Sequence, residues 1–252
     1  MRATRLYINR KLAVDDEVRL DDESSHHATH VLRINKHSSL ALFNGDGYDY
    51  AGHLISLRKK AITVRVTGKT LARKESRLQT HLVLGVSKSA HMDFAIQKSV
   101  EAGVTEIHPA ITERTVIRFS DKSRARRQQH WRNVVISACQ QSGRATLPVL
   151  HEVKHLSETL PVDEGARGFV LDIRSNQTLG GYAHERLKKI WFVTGPEGGL
   201  TQNETQGITD KGFLPVSLGP RIMRTETAAL AAIIGAQVLW GDLSEHDSLQ
   251  QT

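Results

Sequence analysis

Residues 189–204 read KIWFVTGPEGGLTQNE, and the fold is decided there. Ile190, Trp191, Phe192 and Val193 form an unbroken apolar run, which suits a strand covered on both faces. Gly195, Pro196, Glu197, Gly198 and Gly199 then make a turn. Its glycines admit positive φ and let a ligand approach the backbone closely, while the Pro196 ring fixes the entry angle. Thr201 and Glu204 have the T-x-x-E spacing of a capping box, so a helix begins immediately beyond the turn. A buried strand leading through a turn into a helix is the unit of an open α/β sheet, and that turn is where such sheets bind ligands.

Outward from this segment the same rhythm holds from about residue 80 onward. HLVLGVS (81–87) is a strand, MDFAIQKSVEA (92–102) a helix that Gly103 ends, and TEIHPAI (105–111) the next strand. A basic helix follows from about Lys122 to Gln141, then strands near PVLHEV (148–153) and GFVLDI (168–173). Beyond residue 204 come a strand through FLPVSLG (213–219), a loop GPRIMR (219–224) and an apolar helix from about Glu226. The fold class is α/β, a parallel sheet covered by helices. AALAAIIGAQVLW (228–240) is too short to span a bilayer and reads as a buried core helix.

Toward the N-terminus the pattern changes to short β-like stretches: RLYI (5–8), EVRL (17–20), SLALFNG (39–45), YAGHLISL (50–57) and AITVRV (61–66). Separated by polar or glycine-containing turns, they predict a small barrel or sandwich, with HHATHVLRI (26–34) as one helical segment among them. LARKESR (71–77) is densely charged without apolar periodicity and reads as a linker. Two domains are expected, residues 1–72 and 73–252.

At 252 residues, 39% hydrophobic and 24% charged, the chain buries an ordinary core. Its 34 Lys and Arg against 27 Asp and Glu give a formal +7, which favours a polyanionic partner without separating RNA from DNA or an acidic membrane. The single cysteine, Cys139, excludes an intrachain disulfide and a thiolate-rich zinc site, and fits a reducing compartment. MRATRLYINRKL (1–12) is too charged for a signal peptide, so a soluble cytoplasmic protein with no membrane partner is expected. His26, His27 and His30 approach metal-ligand spacing, but no Glu lies between the pair and no Cys completes a site. They read as a solvated or RNA-facing cluster, and no metal is expected.

SLGPRIMRTETAAL (217–230) repeats the strand-to-helix context and adds Arg221, Arg224 and Glu226. Thr225 reads as the N-cap of the last helix and Glu226 as a complement to its dipole. Two strand-end loops of this kind imply one crevice lined by backbone groups. Neither is a phosphate-binding loop, because no Gly-Lys-Ser/Thr follows, nor does either carry the dinucleotide fingerprint. A flat adenosine with a charged amino-acid tail fits better than a triphosphate.

GPEGGLTQNE followed by SLGPRIMRTETAAL resembles the RsmE family of 16S ribosomal RNA uridine-N3 methyltransferases, in the SPOUT superfamily. The likeness runs nearly end to end, through RLYI, HHATHVLRI, KSAHMDFAIQKSVEAGV (88–104) and ACQQSGRATLP (138–148). Ser38 and Ser89 depart from it where glycines are usual, and His91 where a basic residue is. The resemblance implies an N-terminal PUA-like RNA-binding β-barrel, a C-terminal SPOUT α/β domain with a deep trefoil knot, and a homodimer. It implies S-adenosylmethionine (SAM) as cofactor and 16S rRNA of the small ribosomal subunit as substrate. Periodicity points to neither knot nor dimer, and the rarity of knots argues against one. The cofactor is expected against Leu171, Thr194, Gly195, Pro196, Glu197, Gly198, Gly199, Leu218, Gly219, Ile222, Met223, Arg224, Thr225, Thr227 and Ala228. RNA contacts are expected at Arg2, Arg5, His30 and Arg33 in the barrel, and at Lys88, Arg114 and Arg144 in the larger domain.

Methylating N3 of a uridine requires loss of the imide proton and alignment with the sulfonium methyl, so positioning carries most of the gain. Charge spreads to the carbonyl oxygens of the base, where a fixed guanidinium stabilises it. Arg224, then Arg221, are the candidates, with Glu197 or Glu226 to accept the proton. N3 is itself nucleophilic once deprotonated, so Cys139 is not needed for a covalent step and reads as a helical core thiol. Arg124, Arg126, Arg127 and Arg132 fit either a solvated helix face or a phosphate-contacting surface. An aromatic content of 5% argues against a sheet that reads single strands by stacking. Two alternatives stay open: a non-catalytic RNA-binding ribosome-assembly factor, and a SPOUT enzyme acting on transfer RNA or ribose 2′-hydroxyls.

Overall fold

The computed structural model describes residues 3–20, 25, 34, 39–58, 61–160 and 165–243. Arg2, His26, His27, His30, Arg33 and Ser38, and with them nearly all of the expected helix at 26–34, lie outside the described residues. By their contacts the residues form two compact units, Met1–Glu75 with Cys139–Leu147, and Ser76–Ala138 with Pro148–Thr252.

In the first unit β1 (Thr4–Tyr7), β2 (Glu17–Arg19), β3 (Leu40–Phe43), β4 (Tyr48–Arg58) and β5 (Ala61–Leu71) make one sheet, ordered β1-β3-β4-β5-β2. Among the described residues only the β1–β3 pairing of this sheet is parallel. Period-two alternation does the sorting: Ile62, Val64 and Val66 of β5 are fully buried, while Thr63 between them is half-buried and Arg65 and Thr67 are exposed. The buried set packs with Leu6, Val18, Leu42 and Tyr50 into one core. The β4–β5 hairpin is interrupted at Ala51/Gly52 and Leu54/Ser56. A Cβ on Gly52 would meet Val64 Cγ1 at 2.7 Å, so the hairpin closes only over a glycine there.

Two arginines of this unit have internal work. Arg144 Nη2 and Nε donate to Glu75 Oε2 at 2.6 and 3.0 Å. Arg5 pairs with Asp49, donates to the Arg144 carbonyl at 2.9 Å and lies over the Phe43 ring. Their side chains are 8% and 6% exposed for Arg5 and Arg144, so neither of these expected RNA contacts is presented to solvent. A guanidinium at that depth needs a carboxylate beside it. Cys139 is fully buried on a helix, and burial pushes its thiol up to about 12, which fits a core thiol and not a nucleophile.

The second unit holds β6 (Gln79–Gly85), β7 (Glu106–Ile111), β8 (Val149–Leu150), β9 (Lys154–His155), β10 (Arg167–Leu171), β11 (Lys189–Thr194) and β12 (Leu214–Val216). Its helices are α1 (Ser89–Glu101), α2 (Asp121–Ser142, whose residues from Cys139 onward belong to the first unit), α3 (Leu156–Thr159), α4 (Gln202–Thr209) and α5 (Thr225–Trp240). The strands are all parallel in the order β12-β10-β11-β6-β7-β8, with β9 also beside β7. This is the expected α/β sheet covered by helices. Trp191, Val193, Val83 and Val170 face Ile208 of α4, while α5 packs on β6, β11 and α1 from the other side.

Two expectations need correction. Of the strand expected at 148–153 only Val149–Leu150 pairs with β7; the chain rejoins β7 beyond it at Lys154–His155, and the gap falls opposite Pro109, which has no N–H to give the ladder. The last helix is buried on one face only: Ala229, Ala232, Ile233 and Ala236 are enclosed, but Ile234 and Val238 are 39% and 47% exposed. Gly103, at φ +93°, ends α1 as expected. Among the described residues no helix is long and apolar enough to cross a membrane.

Candidate functional site

From β10 the chain goes to β11 on one side, then returns to β12 on the other side of β10. The loops leaving β11 and β12 therefore face each other across the carboxyl ends of the strands, where an open sheet leaves a crevice. A cleft of 940 Å³ lies there, walled by residues of the second unit.

The first wall is the turn 195–199. Gly199 donates its N–H to Pro196 O at 2.8 Å and sits at φ +70°. A Cβ on Gly195 would lie 2.7 Å from Gly199 C and Leu200 N, and one on Gly85, at the end of β6, 2.5 Å from Pro196 N. Glycine at both positions lets the turn fold onto itself and onto the neighbouring strand. Glu197 Oε1 accepts the Lys88 N–H at 2.8 Å, at the start of α1, and Arg114 Nη1 donates to Gly198 O at 2.7 Å. The capping box forms: Glu204 N–H donates to Thr201 Oγ1 at 3.1 Å, and Thr201 N–H to Glu204 Oε2 at 2.8 Å.

The second wall is the loop 217–224. Ser217 N–H donates to Gln177 O at 2.8 Å, and Gly219 turns the chain at φ +108°. Arg224, not Thr225, occupies the N-cap of α5, and no side chain caps it. Thr225 is corrected to the first helical residue, because Arg224 O already accepts the first helical bond, from Ala228 N at 2.8 Å. Glu226 is 9% exposed, and its Oε1 meets His91 Nδ1 at 2.9 Å. Burial would raise its carboxyl, but a bond from its own backbone N–H, the His91 ring and the Arg224 charge outweigh that and hold it below the usual carboxylate range. Its Oε2 is buried with no hydrogen-bond partner among the described residues.

The proposed catalytic residues Glu197, Arg221 and Arg224 all line the cleft. So do Leu171, Thr194, Gly195, Pro196, Gly198, Gly199, Leu218, Gly219, Ile222, Met223, Thr225 and Ala228; Thr227, exposed on the first turn of α5, is not among the lining residues. Of the expected RNA contacts Arg114 also lines it, and Lys88 is exposed beside it. On α2, Arg126 and Arg132 are exposed, while Arg124 and Arg127 lie against the Phe119 ring. Arg174 is bound to Asp172, at 2.9 Å from Nη2 to Oδ2, but Arg221 and Arg224 make no ion pair among the described residues. The sequence reading missed Asp172 and Arg174 as lining residues, and the pairing of His91 with Glu226.

The donor set suits a nucleoside with a cationic tail. Leu171, Leu218 and Met223 offer apolar walls to a flat ring, and the orphaned Glu226 Oε2 offers an acceptor to a ligand donor. Among the described residues no lysine lines the cleft to take a triphosphate.

A family model of the RNA methyltransferase domain matches residues 74–237, and one of the RNA methyltransferase PUA domain matches residues 20–67. Ribosomal RNA small subunit methyltransferase E of Buchnera aphidicola (subsp. Schizaphis graminum) is 34% identical over 249 residues, covering 96% of this chain and 99% of that protein. The crystal structure of a ribosomal RNA small subunit methyltransferase E from Neisseria gonorrhoeae bound to SAM superposes with a TM-score of 0.87 at 37% identity, covering 96% of this chain and 100% of that one. A Legionella pneumophila protein solved with SAM gives a TM-score of 0.91 at 33% identity, with the same two coverages. The chain belongs to the RNA methyltransferase family whose members include ribosomal RNA small subunit methyltransferase E.

Proposed function

We propose that this protein uses SAM to methylate N3 of one specific uridine in the 16S rRNA of the small ribosomal subunit. The observation that carries the reading is the cleft between the 195–199 turn and the 217–224 loop, in a chain that matches SAM-bound relatives over nearly its whole length. Bound SAM supplies an electrophilic methyl carbon on its sulfonium. The chain's own residues do the rest. Gly195, Gly199 and Gly219 keep the backbone open to the ligand, Leu171, Leu218 and Met223 exclude water from its flat ring, and Glu226 fixes a donor. Arg224 and Arg221 are free to hold the negative charge that develops on the base. Glu226, held below the usual carboxylate range and already engaged by His91, is set aside as the proton acceptor. Exposed Glu197, with only Oε1 engaged by Lys88, is our acceptor for the imide proton.

Lys88 and Arg114 border the cleft and are assigned to the RNA strand; Arg5 and Arg144 are assigned to holding the first unit together. The same reading makes the first unit the PUA-like RNA-binding domain and the second the SPOUT catalytic domain, with the trefoil knot and homodimer of the family, working in the cytoplasm.

Transfer of tritiated methyl from SAM to small subunits that lack the modification, and in a parallel reaction to transfer RNA, followed by mass spectrometry of the nucleosides, tests the reading. Label in 3-methyluridine supports it. Label in a ribose 2′-hydroxyl or in transfer RNA supports another SPOUT specificity, and no transfer supports a non-catalytic assembly factor.

A further inference from the structure

Away from the cleft, toward the amino-terminal ends of the parallel strands, histidines gather around one carboxylate. His81 of β6 is in register with Glu106 of β7 and with Trp191 of β11. His108 follows Glu106 by two residues and so shares its face of the sheet. His151, beyond β8, is tied down by its N–H to Ile107 O at 2.9 Å. Glu106 Oε2 lies 3.6 Å from His81 Nδ1, 3.6 Å from His108 Nε2 and 2.6 Å from His151 Nε2. The His108 and His151 rings stack at 3.9 Å, and His81 stacks on Trp191 at 4.4 Å.

We propose that His81, Glu106 and His108 bind one divalent transition cation, of which Zn²⁺ is the best match. The three ligand atoms lie within 4.8 Å of one another. Metal–ligand bonds of about 2.1 Å place neighbouring tetrahedral ligands about 3.4 Å apart. The two His–Glu106 separations of 3.6 Å are close to that, and the two ring nitrogens, within 4.8 Å of each other, must close on the ion as it binds. His108 is 8% exposed, yet its Nε2 has no hydrogen-bond partner among the described residues. A buried ring nitrogen in that state is rare unless something else satisfies it. His151 is the outer partner that orients the carboxylate, the usual arrangement around a ligating group. Two imidazoles and one carboxylate select a borderline cation over the all-oxygen sites of magnesium or calcium. The site ties β6 to β7 toward the end of the sheet opposite the cleft, so its effect is on the stability of the second unit and not on methyl transfer.

Titration of the metal-free full chain with zinc chloride in a calorimeter, with thermal unfolding in parallel, tests this. The expected result is one equivalent bound and a raised unfolding midpoint. Glu106→Gln, which keeps an acceptor for His151, and His108→Gln should each weaken binding by roughly tenfold or more and remove the midpoint rise. Circular dichroism of the metal-free variants checks their folding, and His81→Gln stands in for either that fails. Because the chain has 13 histidines, a His26, His27 and His30 triple alanine variant serves as control and should bind as the parent does. No binding by the parent, stoichiometric binding that survives the ligand substitutions, or binding lost in the triple variant would overturn the assignment.

Discussion

Gly195→Ala perturbs the cleft at a point where no rotamer can relieve the change. The new Cβ would stand 2.7 Å from Gly199 C and Leu200 N, both backbone atoms of the same turn. Ordinary carbon contacts lie at about 3.5–4.0 Å, so the overlap approaches 1 Å. Overpacking of that kind costs typically 1–3 kcal/mol, and here the turn must open to relieve it. About 2 kcal/mol taken from ligand binding corresponds to a roughly thirtyfold rise in the SAM Kd. Gly212→Ala is the matched control: its φ is +87°, no atom lies within 4 Å of its Cβ, and it is not among the residues lining the cleft. It should lower stability by about 1 kcal/mol through backbone strain and leave the Kd unchanged. Equilibrium dialysis against tritiated SAM, on variants shown to be folded, measures both. A Gly195→Ala Kd within threefold of the parent would refute the claim that this turn is a wall of the ligand site.

Arg224→Ala should lower single-turnover methyl transfer by about 100- to 1000-fold, the usual cost of losing a charge-stabilising donor, with the SAM Kd nearly unchanged; undiminished transfer would remove Arg224 from the mechanism. Glu226 has a folded-state carboxyl below its ordinary value of 4.5, so its contribution to stability is complete above about pH 4.5 and is lost as the pH falls past the depressed value. Urea midpoints should therefore fall less steeply below pH 4.5 in Glu226→Gln than in the parent, and parallel curves would contradict that sign. The Cys139 thiol, fully buried and pushed up to about 12, should react with a disulfide reagent only as the chain unfolds, and rapid stoichiometric labelling of the native protein would count against its place in the core.

The parts of the molecule that were legible in the sequence are those set by near neighbours. The turn 195–199 and the helix after it are specified by glycines, a proline and a four-residue capping box, and the Thr201 and Glu204 bonds form as their spacing requires. The α/β class followed from strands with no polar face. What was not legible depends on residues distant in the chain. His91 and Glu226 are 135 positions apart and meet only because α1 packs on α5. His81 and Glu106 are brought side by side by parallel pairing across a helix. Arg5 and Arg144 carry the charge expected of RNA contacts, and their carboxylates Asp49 and Glu75 are far from them in sequence. Gly85 did leave a signal: a glycine ending an apolar strand marks a close backbone approach, and Pro196 N is what approaches. Thr225 has the chemistry of a cap, but the loop geometry places Arg224 there.

The central claim is that the loops leaving β11 and β12 close on a single SAM molecule. Calorimetric titration of the full chain with SAM, and separately with its demethylated product, measures that directly. The account predicts saturable binding that Gly195→Ala weakens. An absence of binding heat for both compounds across a range of temperatures, with small-subunit RNA present, would contradict it.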